Sequence, residues 1–232
     1  MRSFIIEKMD ELLPLRPTTK EAEDFIVELF KDPWLRNKAN RVREMNEVHD
    51  CLRLYLKELM EGNKKFLDIG CGFGLFLEMS RFYNNEPVGV YYDPKTQVLN
   101  YYQYAQLMFE RQDLKAHDVD IYDVLLNRNY AIFNDIGIKD IDVINCKKTI
   151  NLIFMHHFKN KKWIIDSNLS EMFNRFFELC NVILSEKGII LITPLSSENG
   201  KEYSKVLVSS AIKNKFEVLH NNGHSRHKFR KA

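Results

Sequence analysis

The sequence has no apolar stretch long enough to span a bilayer, so no transmembrane helix is expected. It also has no C-x-x-C pair. Its four cysteines, Cys51, Cys71, Cys146 and Cys180, are scattered. That argues against a zinc site or a disulfide framework, and predicts buried or pocket-lining thiols in a reducing cytoplasm. A strong charge of either sign is missing: 34 Lys and Arg against 32 Asp and Glu leave a formal net charge of +2. Such a near-balance speaks against a protein defined by polyanion binding. Arg2 is followed only by the short apolar run Phe4-Ile5-Ile6 before Glu7 and Lys8, so no secretory signal is expected. There is no internal repeat and no low-complexity linker.

What remains is the material of a folded domain. Apolar residues make up 45% of the 232, enough to fill the core of one large domain, or of one domain with a terminal extension. Positions 1–62 read as helical. Ala22, Phe25, Ile26, Leu29 and Phe30 recur at helical spacing after Thr18-Thr19, and Asp32-Pro33 reads as a cap with a first-turn proline. A second stripe, Val42, Met45, Val48, Leu52, Tyr55, Leu56 and Leu59, ends at Gly62. An apolar stripe of this kind packs against something, which predicts an N-terminal helical cap.

From Lys64 the rhythm changes. Short apolar runs at 66–69, 88–92, 114–118, 141–146, 188–193 and 216–220 read as strands. Helical patterns separate them, at 75–83, from Pro94 onward, at 169–184 and at 203–213. Strands alternating with helices imply a mostly parallel sheet covered on both faces. Such sheets bind ligands at the carboxyl ends of their strands. Asp68, Tyr91, Asp93, Asp118 and Cys146 all fall near strand ends and can converge there.

The segment Asp68-Ile69-Gly70-Cys71-Gly72-Phe73-Gly74 carries the chemistry. Three alternate glycines after a strand permit a tight turn and let a ligand lie against the backbone. The helix that follows presents amides and a positive dipole end, which suit a carboxylate. Asp68, just before the turn, can accept hydrogen bonds from an ammonium group. The ligand that carries both charges is an amino acid. A dinucleotide fingerprint would place Gly or Ala where Leu75 stands, and would have no need of Asp68.

Leu67-Asp68-Ile69-Gly70-Cys71-Gly72-Phe73-Gly74 resembles the first motif of the class I S-adenosylmethionine-dependent methyltransferases. Val88-Gly89-Val90, Ile141-Asp142-Val143-Ile144, Met155-His156-His157-Phe158 and Leu184-Ser185-Glu186-Lys187-Gly188 follow in the family's order, so the resemblance covers about 64–220. It implies a Rossmann-like α/β fold with a seven-stranded sheet, S-adenosylmethionine as cofactor, and methyl transfer. It also implies roles: Asp68, Gly70, Cys71, Gly72 and Gly74 for the methionine moiety, Tyr91 or Asp93 for the ribose, and Asp118 for the adenine. Cys146 becomes a pocket-lining residue near the methyl group. Tyr91 stands where the family usually has an acidic residue. Asp93 has a second reading, as the N-cap of a helix starting at Pro94, and Asp118 a second reading as a solvated carboxylate. His156 and His157 read as packing residues rather than general bases, and no catalytic base or metal site is assigned.

Two basic clusters stand out: Lys31, Arg36, Lys38, Arg41 and Arg43, and Arg226, Lys228, Arg230 and Lys231. They read as a solvated helix face and, over 223–232, a basic tail. Leading helices commonly cap the pocket in methyltransferases of small molecules. The expected acceptor is therefore a small molecule rather than RNA or DNA, with no membrane partner. A nucleic-acid methyltransferase and a non-catalytic cofactor-binding protein are the alternatives.

Overall fold

The computed structural model describes residues 61–71, 75–91, 114–147, 149–194, 197–221 and 226–232. The helical cap expected over 1–62 lies outside these residues except for its last two positions. So do Gly72, Gly74, Asp93, the helix expected from Pro94 and the first basic cluster.

Apolar β-branched runs form the strands where the short hydrophobic stretches place them. In chain order the strands are β1 (Lys65–Ile69), β2 (Glu86–Tyr91), β3 (Ala116–Asp118), β4 (Ile141–Lys147), the two-residue hairpin strands β5 (Phe158–Lys159) and β6 (Lys162–Trp163), β7 (Leu184–Thr193), β8 (Phe216–Asn221) and β9 (His227–Lys231). Seven of them make one sheet, in the order β3-β2-β1-β4-β7-β9-β8. The first five in that order are parallel, and β9 runs antiparallel to both β7 and β8. The connecting helices are α1 (Leu75–Phe82), α2 (Ile121–Asn127), α3 (Ala131–Asp135), α4 (Thr149–Ile153), α5 (Ser167–Ile183) and α6 (Gly200–Lys213).

The larger core lies on the α5 and α6 side of the sheet. Leu67, Ile144, Ile190 and Phe229 stand level across β1, β4, β7 and β9, and all four are buried. Phe177 of α5 meets this row, its ring 5.3 Å from that of Phe229 and 5.2 Å from that of Phe216. Among the described residues, fewer buried side chains pack on the opposite face. There Phe66 of β1 stacks on Phe76 of α1 at 6.4 Å. α5 starts at a defined point because the Asp166 carboxylate accepts from the Leu169 amide at 2.8 Å. Asp166→Ala should therefore cost about 1 kcal/mol, read as a lower urea midpoint at pH 7.

The segment 223–232, expected to be a basic tail, is corrected by β9. His227 and Phe229 alternate inward, while Lys228 and Arg230 take the other face. The charges of Lys231 and Arg230 have partners. Lys231 Nζ donates to the carbonyls of Asn181 and Leu184 at 2.8 and 3.0 Å, at the carboxyl end of α5. Arg230 lies 3.5 Å from Glu217 of β8. Among the described residues no helix is long and apolar enough to cross a membrane.

Candidate functional site at the carboxyl end of β1 and β4

Asp68 is the penultimate residue of β1, and the parallel register sets Asn145 of β4 level with it. The Asn145 amide donates to Asp68 Oδ1 at 2.6 Å. Both side chains are buried, at 3% and 0% exposure. Burial pushes the Asp68 carboxyl up to about 7, while the Asn145 hydrogen bond and the Lys147 charge pull it back. Asn145 Oδ1 is buried and has no hydrogen-bond partner. The pair thus offers a carboxylate and a carbonyl oxygen side by side, both acceptors. A buried acceptor left unmade is costly, and an ammonium group supplies what both need. On this chemistry the site fits the amino-acid end of S-adenosylmethionine.

The glycine turn begins with Gly70 in the left-handed region, φ +75°. A Cβ there would collide with the Thr149 side chain at the start of α4, whose own Cβ would lie 2.8 Å away. Thr149 is held in place by donating to the Lys147 carbonyl at 3.0 Å. The Gly70 and Cys71 amides both donate to the Val90 carbonyl, at 2.7 and 3.3 Å. Those two amides close the turn against β2. Cys71 is buried over Gly89, where a Cβ would come within 2.7 Å of its sulfur. Burial first, and the Asp68 charge second, push the Cys71 thiol well above its ordinary value. The same two causes raise the Cys146 thiol. Neither sulfur is a nucleophile in these surroundings.

Tyr91 and Asp118 stand level at the ends of β2 and β3. Asp118 is exposed, two strands from β1, which is about 10 Å at ordinary strand spacing. The structure therefore brings Asp68, Gly70, Cys71, Tyr91, Asp118 and Cys146 to one edge of the sheet. Cys146 belongs to the core cluster that also holds Cys180 and Ile144. Sequence reasoning did not place Asn145, Lys147 and Thr149 in the site; only the register between β1 and β4 and the close approach at Gly70 identify them. His157 is buried with Nδ1 3.6 Å from the Asp166 carboxylate, and His156 is exposed with its ring tilted against Tyr122 at 5.4 Å. His157 therefore packs in the interior, whereas His156 lies at the surface. Among the described residues no group of three or more His, Cys, Asp or Glu could hold a metal ion.

No family model matches the sequence, and no curated protein matches it. Solved structures do. The PH0226 protein of Pyrococcus horikoshii OT3 is 15% identical, with 96% of this chain and 99% of that one covered at a TM-score of 0.52. A S-adenosylmethionine-dependent methyltransferase from Archaeoglobus fulgidus is 15% identical over 90% of this chain and 98% of its own, at 0.47. A chain from Streptococcus mutans, proposed as a methyltransferase of the same kind, is 14% identical over 77% of this chain, at 0.49. This chain spans about half of that protein, 48% of its length. The fold is the Rossmann-like α/β fold with a seven-stranded, mostly parallel sheet that the resemblance to the class I S-adenosylmethionine-dependent methyltransferases implies.

Proposed function

We propose that this chain is a cytoplasmic methyltransferase that binds S-adenosylmethionine and delivers its methyl group to a small-molecule acceptor. One observation carries the reading: the buried Asp68–Asn145 pair, with an unmade acceptor on Asn145, beside a turn that only glycine can make at position 70. The bound cofactor would supply a methyl group activated on a sulfonium. Asp68 and Asn145 hold the ammonium of its methionine end. The turn from Gly70 through Gly72 and Gly74 lies along that moiety. Tyr91 or Asp93 meets the ribose, and Asp118 the adenine. Cys146 lines the floor near the methyl group. No side chain is assigned as a general base, since alignment of acceptor, methyl carbon and sulfur supplies much of the rate of such a transfer.

Isothermal titration with S-adenosylhomocysteine tests the site, with the oxidised and reduced nicotinamide dinucleotides as controls. Micromolar binding and no response to the nicotinamides are expected. A folded sample that fails to bind S-adenosylhomocysteine would remove the cofactor assignment, and binding of a nicotinamide would replace it.

A further inference from the structure

A second group of polar atoms lies apart from the Asp68 pair, on the α5 and α6 side of the sheet. Cys146, Ile192 and His227 stand level across β4, β7 and β9, so they share that face. Tyr203 of α6 packs over the row. Its ring is 6.0 Å from that of His227 and 4.4 Å from the stacked ring of Trp163, at the end of the β5–β6 hairpin. Burial pushes the Tyr203 phenol well above its ordinary pKa, with Cys146, near the end of β4, as the next cause. Trp163 is not there by accident. Asn199 accepts from its backbone amide at 2.9 Å and donates to its carbonyl at 2.8 Å.

All three rings are almost wholly buried, at 3%, 0% and 2% exposure for Trp163, Tyr203 and His227. Their polar atoms Trp163 Nε1, the Tyr203 hydroxyl, and both Nδ1 and Nε2 of His227 have no hydrogen-bond partner. One orphaned polar group in a core is tolerable. Three adjacent residues that each forgo their hydrogen bonds are a pattern that native interiors avoid unless something bound supplies the partners.

The types of atom narrow what that is. The indole can only donate, a neutral imidazole donates once and accepts once, and the phenol does either. Burial keeps the imidazole neutral, its pKa lowered to about 4. A carboxylate would only accept and leave the imidazole acceptor unmet. An ammonium would only donate and leave the indole N–H unmet. A hydroxyl accepts from the first and donates to the second. We propose that Trp163, Tyr203 and His227 form a second binding site, which holds one neutral hydroxyl group supplied by a buried water or by a small alcohol or phenol.

The test exploits shape. Tyr203→Phe keeps the ring and deletes only the hydroxyl, while His227→Phe removes both ring nitrogens and puts a somewhat larger ring in their place. Both variants are made in a Trp34→Phe background, which leaves Trp163 as the sole indole of the chain's two. A bridged hydroxyl loses a partner in either variant, so the thermal midpoint should fall by about 2–4 °C. Phenol is then titrated into the parent and followed by Trp163 emission. Saturable binding that weakens at least ten-fold in Tyr203→Phe assigns an organic hydroxyl. A lowered midpoint with no phenol response assigns the water. If both variants melt at or above the parent's midpoint and phenol does not bind, the rings pack dry and the site does not exist.

Discussion

Replacing Asp68 with Asn should stabilise the cofactor-free protein and weaken its binding of S-adenosylhomocysteine by ten-fold or more. The folded state holds the Asp68 proton up to about pH 7, against an ordinary value of 3.8. Its contribution to stability is therefore complete below pH 3.8 and is lost as the pH rises through 7. Three pH units correspond to about 4 kcal/mol at most. Above pH 7 the protein carries that cost as a buried carboxylate, and Asn does not. The stability difference should grow from near zero at pH 4 to about 2–4 kcal/mol at pH 8, measured by urea unfolding of variant and parent side by side. The comparison with the parent matters because His227 works in the opposite sense. Its depressed pKa gives stability that is present above 6.5 and is lost as the pH falls through 4. A difference that does not vary with pH would mean the carboxylate is not strained by its burial. Undiminished binding of S-adenosylhomocysteine would take Asp68 out of the site.

Gly70→Ala should destabilise the protein by about 2–5 kcal/mol, through two separable effects. An alanine at φ +75° is in the left-handed region, worth about 1–2 kcal/mol. Its Cβ would also overlap the Thr149 side chain, and overpacking of this kind costs about 1–3 kcal/mol. Thr149→Ala trims one partner of the collision and leaves the backbone conformation alone. The double variant should thus recover part of the loss, with a coupling of about 0.5–2 kcal/mol in a denaturation cycle. Strict additivity would show that Thr149 has room to move aside. The cycle also tests the site, because the same residue holds α4 against the turn.

Most of the sheet was legible because its strands are short apolar runs between polar helix signals. The pattern at 66–69, 141–146 and 188–193 needs no tertiary information to be read as buried strand. β9 was not legible, for a physical reason. Its three cations and one histidine hide a period of two in which only His227 and Phe229 face the core. Lys231 earns its place by capping carbonyls of a helix 50 and 47 residues earlier in the chain, a relation that exists only in three dimensions. The site divides in the same way. Asp68 and Gly70 announce themselves as a local motif. Asn145 belongs to a different strand 77 residues on, and its role follows from register alone. The helices α2, α3 and α4 were missed because five to seven residues are too few for a periodic signal.

The place of β9 between β7 and β8 has a consequence for how the chain is made. Synthesis is vectorial, and β7 and β8 are finished before β9 emerges. Until it does, β7 presents the apolar edge Ile189–Ile192 with its backbone groups unpaired, and β8 has no strand to join. A nascent chain stalled just before residue 227 is then an adhesive one, with the parallel strands β3, β2, β1, β4 and β7 already complete. Chaperone contact late in translation, rather than early, is where this fold is most exposed.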